Sequence, residues 1–327
     1  MRYKKRRYVF LLEENPQSLF VDHLGNWFLL RGQVIEVLVR DLLSYLDEPH
    51  TLEEIVAEFE NRARAEDIQD ALNQLVRLGV LEECDDVSGD EGVVGFLGLF
   101  TPYLEEKKTT YLQRLERASV LVLGEGRVAQ GIEEGLRESR VQVKRSPWLN
   151  EEDSSLSGRV QSLLRGFSLV IVTGSGRSLG FLEAVNEAAM LENVRVLYVE
   201  EDWTGGVVGP LVIPGETPCY RCYLERKQTN KEYDIGFELM RKVEGDVNTQ
   251  TGFSPFVMWL VSIAVTESVK FLSWYLPCEM VKGVFLVDAV NYRVQFHPVL
   301  KSPYCSVCGY VDRIPPQMVW TEDNHGV

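Results

Sequence analysis

The sequence predicts an α/β chain: a mostly parallel sheet with helices, preceded by a small α+β domain. Three observations carry this expectation. Between residues 118 and 199, apolar runs of strand length alternate with segments of helical periodicity. A glycine-rich turn joins the first of these runs to a helix. Before about residue 90 the order differs: three short strand-like runs come first and three amphipathic helices follow, which marks a separate domain.

The N-terminal strand-like runs are Tyr8–Leu12, Leu19–Val21 and Trp27–Leu30, separated by turn signals at Asn15-Pro16 and Gly25-Asn26. Val34, Leu38, Leu42 and Tyr45 then share one helical face. Thr51 and Glu54 form a capping box that opens a second helix, with Ile55, Val56 and Phe59 turned inward. A third helix carries Ile68, Leu72, Leu75 and Leu78, and Gly79 ends it. Val80-Leu81 follows as a short wing. Residues 1–84 therefore read as a winged helix-turn-helix domain. Residues 85–114 read as a linker that begins with an acidic, Gly/Ser-rich stretch.

Charge narrows the function. The chain has 327 residues and a net charge of −15, so a phosphate backbone is not the expected partner. Glu66, Asp67 and Asp70 on the third helix would repel DNA where such a domain usually meets it. Peptide binding fits better. An exposed strand at Asn26–Arg31 can accept another strand edge to edge, floored by a helix. The apolar segment Phe256–Leu276 contains Glu267 and Lys270 and opens on Ser254-Pro255, which predicts a buried core helix and no membrane span. The N-terminal segment is basic but is broken early by acids, so no signal peptide is expected and the location is cytoplasmic.

In residues 115–327, Ala118–Leu123 predicts a buried parallel strand. It runs into Gly124-Glu-Gly126-Arg-Val-Ala129, a Rossmann-like strand–turn–helix with a small residue at the third position. Val141–Lys144, Leu169–Thr173 and Val194–Val199 continue the sheet. A nucleotide site usually has an acid at the end of the second strand to hold the ribose. Lys144-Arg145 stand there instead, so the turn at Gly124, Gly126 and Ala129 reads as a retained but degenerate cofactor site, and ATP is not expected.

Two Cys-x-x-Cys pairs, Cys219/Cys222 and Cys305/Cys308, offer four sulfurs. That is the closed tetrahedral set of a structural zinc, with no open position for catalysis. The pairs lie 82 residues apart, so a metal there would tie the middle of the chain to its end. Cys84 and Cys278 remain as single buried or half-buried thiols.

The glycine turn, the stretch Gly209-Pro-Leu-Val-Ile-Pro-Gly-Glu-Thr-Pro-Cys-Tyr-Arg-Cys222 and the terminal Cys-x-x-Cys together resemble the ubiquitin-activating-like ThiF family over about residues 115–310. The whole chain is more similar to one branch: the leader-peptide-binding partner proteins of thiazole/oxazole-modified microcin biosynthesis, in which an N-terminal recognition element precedes a degenerate ThiF-like domain. That resemblance implies several things. The four cysteines would hold zinc. The leader of a ribosomal precursor peptide, in this case of a bacteriocin-like product, would add beside Asn26, Trp27, Phe28, Leu29, Leu30 and Arg31, with Gln69, Leu72, Asn73 and Val76 supplied by the third helix. A YcaO-type cyclodehydratase would carry the ATP chemistry of azoline formation. The chain would be a non-catalytic scaffold and a homodimer. The alternative is an adenylating ThiF-like enzyme. A nicotinamide-dependent reductase lacks both the ribose acid and a histidine in any recognisable constellation.

Overall fold

The computed structural model describes residues 2–6, 9–15, 17–23, 26–32, 35–84, 92–99, 107–149, 156–174, 179–229 and 252–309. The chain divides into two compact units, Met1–Gln113 and Arg114–Val327.

In the first unit, β2 (Val9–Asn15), β3 (Ser18–His23) and β4 (Asn26–Arg31) form an antiparallel meander, each strand paired with the next. A π-helical turn at Ile35–Val39 leads into α1 (Arg40–Tyr45). Then come α2 (Leu52–Phe59) and α3 (Ala65–Arg77). Thr51 and Glu54 do form the capping box: the Thr51 hydroxyl accepts from Glu54 N at 3.2 Å, and the Glu54 carboxylate accepts from Thr51 N at 2.8 Å. Gly79 takes a left-handed φ of 72°, and Val80 N returns to Leu75 O at 2.9 Å, which closes α3 as its position just past the helix predicts.

The basic N-terminus holds a strand the sequence reading did not anticipate. β1 (Arg2–Lys5) lies between β5 (His50–Thr51) and β6 (Leu81–Cys84), so the strand after α3 is paired with the first residues of the chain. Tyr3 is its buried residue. Leu19, Val21, Leu38, Leu42, Ile55, Ile68, Leu72 and Leu81 complete one apolar core. Within the stretch read as a linker, Gly92–Gly98 is helix α4, and α5 (Lys108–Arg117) begins; residues 85–91 and 100–106 lie outside the described residues. Val34 and the side chain of Cys84 also lie outside them.

The second unit is built on a seven-stranded sheet in the order β13-β12-β11-β10-β9-β7-β8. Its parallel half is β8 (Gln142–Ser146), β7 (Ser119–Leu123), β9 (Leu169–Thr173) and β10 (Val196–Glu201). All five residues of β9 are buried, as befits a strand covered on both faces. The connecting helices are α6 (Gly126–Glu138), α7 (Leu156–Leu164) and α8 (Leu179–Glu192). This is a Rossmann-like arrangement. The other half is antiparallel: β11 (Gly205–Val212), β12 (Gly283–Asp288) and β13 (Arg293–Pro298). Between β11 and β12 come α9 (Tyr220–Thr229) and α10 (Ser254–Ser273).

Helix α10 covers the apolar segment whose length could suit a membrane. It packs instead against α6 and β11. Its Glu267 is buried, pairs with Lys270 at 2.5 Å and accepts from Glu279 N at 2.7 Å. Gly131 and Gly135 on α6 make the close approach possible: a Cβ at either would stand 2.9 Å from Val261 or Val265. Gly131→Val is therefore expected to overpack this interface and to destabilise the second unit by about 1–3 kcal/mol. Urea unfolding followed by far-ultraviolet circular dichroism measures it.

Candidate functional site

Cys219 lies immediately before α9, and Cys222 lies in its first turn. Thr217 shapes the approach. Its hydroxyl accepts from Ile213 N at 2.7 Å and donates to Leu211 O at 3.2 Å, so the chain leaving β11 turns sharply into the helix. Asn186 of α8 accepts from Tyr220 N at 2.9 Å, satisfying a free donor at the start of α9. Cys305 and Cys308 follow β13 on a turn closed by Gly309 N to Cys305 O at 2.8 Å. A Cβ at Gly309 would lie 2.4 Å from Cys305 O, so glycine is required there.

These two turns bring all four sulfurs within 4.8 Å of one another, and all four residues are buried. Cys219 Sγ is 3.6 Å from Cys305 Sγ and 3.9 Å from Cys222 Sγ, and Cys222 Sγ is 3.4 Å from Cys308 Sγ. No disulfide joins them. Sulfurs bound tetrahedrally at about 2.3 Å from a zinc ion would be separated by similar distances, so the donor set fits that metal. Ser302 N donates to Cys222 Sγ at 3.4 Å, a bond that favours thiolate. The sulfurs also act on one another. Hydrogen bonds from Cys219 and then Cys308 lower the Cys222 thiol, while Cys219 is driven up by the bonds it makes to Cys222 and Cys308 and by burial. A divalent cation would relieve this competition by charge-stabilising all four thiolates.

A polar network ties the cluster to the sheet. Tyr220 stacks on Tyr198 of β10, with ring centroids 4.1 Å apart, and donates to Glu200 at 2.9 Å. Lys227 reaches the other Glu200 oxygen at 3.4 Å, and Glu200 holds its ammonium well above the usual range. Burial, then Glu200, pushes Tyr223 up to about 12. Nothing in the sequence pattern singled out Glu200 or Lys227, because the contact joins two elements far apart in the chain. Cys278, the leftover thiol among the described residues, is buried.

The glycine turn presents a different picture. Gly124 has φ 156°, and a Cβ there would lie 1.8 Å from Thr173 Oγ1, so the turn is pressed against the end of β9. Glu125, an acid, occupies the N-cap of α6, where a phosphate would need donors and positive potential. Arg145, at the end of β8, is committed to Glu133 at 2.5 Å. Trp148 follows β8. Its indole N–H donates to Thr173 O at 3.0 Å, and its Nε1 is 3.4 Å from a Cβ built on Gly124. The indole thus bridges the C-terminal ends of β7 and β9, the switch point where open α/β sheets hold their ligands.

In the first unit, β4 is an edge strand, paired with β3 alone among the described residues. Beside it is a cavity of about 640 Å³. Leu30, Arg31 and Gly32 form one wall, and Ile35, Leu38 and Val39 line its base. Helix α3 contributes Asp67, Asp70, Ala71, Gln74 and Leu75, and Leu78 follows at its C-terminus. The six strand residues singled out from the sequence divide. Leu30 and Arg31 reach the cavity, Leu29 is half-buried, and Trp27 is exposed and packs on Phe20 with centroids 5.1 Å apart. The side chains of Asn26 and Phe28 lie outside the described residues.

None of the four α3 residues named from the sequence lines the cavity. Leu72 is fully buried in the core, Val76 packs against that core, and Gln69 donates to Asn73 at 3.2 Å on the adjoining face. The helix is rotated so that Ile68, Leu72 and Leu75 meet the core, which turns the 67/70/71/74/78 face toward β4. Ala71 and Leu78, apolar positions beside that core stripe, were the sequence signal for this face.

No protein-family model matches the sequence, and no curated protein matches it. Solved structures do. A heterocyclase in complex with substrate and cofactor aligns with a TM-score of 0.72 at 17% identity over 94% of this chain. The heterocyclase TruD aligns with the same TM-score at 18% identity. The chain spans only 39% and 43% of those two proteins. The microcin C7 biosynthetic enzyme MccB, in complex with N-formylated MccA, aligns at 0.63 and 15% identity over 94% of this chain and 100% of its own. MccB of E. coli also aligns over the full length of both chains at 0.62. At these identities the likeness establishes a shared fold.

Purified protein is expected to contain about one zinc per chain, released on acidification as the thiolates take up protons. Cys219→Ser or Cys305→Ser is expected to lose the metal and the soluble second unit with it, since structural zinc contributes folding energy on the order of 10 kcal/mol. Metal analysis together with size-exclusion chromatography reads both; a metal-free variant that stays folded would refute the role.

Proposed function

We propose that the chain is a peptide-recognition scaffold. It binds the leader of a ribosomal precursor peptide and presents the remainder to a YcaO-type cyclodehydratase for thiazoline or oxazoline formation. The observation that carries this reading is the unpaired edge of β4 beside an apolar cavity walled by α3. An added strand would satisfy the free backbone groups of β4, and alternate side chains would drop into the cavity and supply specificity. On this reading the first unit is a winged helix-turn-helix recognition element, turned from nucleic acid by Glu66, Asp67 and Asp70. The shared fold with a heterocyclase and with MccB, which is seen with the peptide MccA, supports peptide modification as the setting. The zinc cluster is structural in this scheme. Holding the leader raises the local concentration of the core peptide at the partner enzyme, so moderate leader affinity suffices. The protein acts in the cytoplasm as a homodimer.

The second reading, adenylation by this chain, draws support from the same fold. The position of Trp148 across the switch point, the acidic cap at Glu125 and the engagement of Arg145 favour the scaffold.

Two measurements separate them. Fluorescence polarisation with the labelled leader of a precursor peptide encoded beside this chain's gene, once such a gene is identified, is expected to show binding that Leu29→Pro abolishes, because proline removes a strand donor. Ala71→Trp, which fills the cavity without breaking the strand, is expected to weaken binding at least about tenfold, roughly 1.4 kcal/mol. Retained affinity in both variants would move the groove elsewhere. Pyrophosphate release from ATP by the isolated chain is expected to be absent; its appearance would favour adenylation.

A further inference from the structure

The second unit carries another concave site, at the opposite end of its parallel strands from the glycine turn. The pocket has a volume of about 380 Å³ and lies where the parallel strands begin, beside Ala118, Ser168 and Arg195. Its floor is apolar: Ile213, Phe271 and Leu272. Three arginines surround it, Arg114, Arg117 and Arg195, against a single acid, Glu216.

The arginines are differently placed. Arg114 is held: its Nη1 donates to Ser273 O at 3.1 Å and its guanidinium lies 4.7 Å from the ring centroid of Trp274. The side chains of Arg117 and Arg195 are exposed and have no partner among the described residues. In a chain with 49 acidic and 34 basic residues, three arginines against one glutamate give the rim of this pocket a local positive excess. Trp274 is unusual as well. It sits in the left-handed region, φ 60°, ψ 25°, a conformation costly for a bulky residue and maintained only where its surroundings impose it. It is 73% exposed, and its indole N–H makes no hydrogen bond among the described residues.

We propose that this pocket binds an organic carboxylate. The free guanidinium groups and the indole N–H would take the two oxygens, and the apolar floor would take the hydrocarbon body. The same chemistry is presented by an acidic residue or C-terminus of a peptide and by a free small acid. The site shares no residue with the groove beside β4 or with the cysteine cluster, so it does not depend on the peptide-recognition reading.

The test uses the full chain labelled with 5-fluorotryptophan, the Trp274 resonance being identified through Trp274→Phe. Titration with 3-phenylpropanoate is expected to shift that resonance saturably. Half-saturation is expected at a concentration at least about tenfold lower than for 3-phenylpropanol or inorganic phosphate. The double variant Arg117→Gln/Arg195→Gln is expected to weaken phenylpropanoate at least about tenfold while leaving the other indole resonances in place, since both side chains are exposed. No saturable shift, equal affinity for the alcohol, equal affinity for phosphate, or an unaffected double variant would each overturn the proposal. Given those expected results, binding of N-acetyl-Phe-Asp-amide as tightly as the free acid assigns the site to peptides; binding of the free acid alone assigns it to small molecules.

Discussion

Four thiols packed within 4.8 Å of one another, all buried, impose the tightest constraint in the second unit. They bring the start of α9 against the turn after β13, so α10, β12 and β13 lie within one stretch of chain whose two ends meet at the sulfurs. A metal at that point changes the chemistry of closure. Hydrogen bonds among the sulfurs lower Cys222 and raise Cys219. With the metal, all four can be thiolates, and the ligand set is complete, leaving no position for a substrate. The Tyr198–Tyr220 stack and the Glu200 bonds carry this anchorage into the sheet.

That constraint organises the antiparallel half of the sheet, while ordinary α/β packing organises the parallel half. The two halves differ in chemistry too. At the switch point of the parallel strands, an indole is hydrogen-bonded to β9 and an acid caps the adjoining helix. Phosphate would meet negative charge instead of open donors. In the first unit the opposite holds: an edge strand lies open, and the surface beside it is concave and largely apolar. The features that suit capture of a strand are therefore found in the smaller unit, while the larger holds the cysteine anchorage and the arginine-rimmed pocket.

Much of this was legible in the residues. The four cysteines were recognisable from spacing alone, because two-residue gaps constrain two sulfurs locally and only their meeting needs the fold. The parallel strands and the capping box at Thr51 and Glu54 were legible for the same reason: each is a local pattern with a local cause. The strand Arg2–Lys5 was not, since its basic residues hide a single buried tyrosine and its partners are about fifty and eighty residues away.

The α3 residues show the boundary most clearly. Periodicity established that α3 is an amphipathic helix with Ile68, Leu72 and Leu75 together, and charge established that its exposed face is acidic. Which way that helix turns beside β4 depended on how the core closed around Leu72, and so the cavity is lined by Asp70, Ala71 and Gln74, with Gln69 and Asn73 left outside it. Sequence by itself determined most element types, which four cysteines would pair two by two, and the sign of the net charge. Tertiary structure alone decided which helix face meets the strand at β4 and that Trp148 bridges the ends of β7 and β9, because both depend on packing between elements that no local spacing encodes.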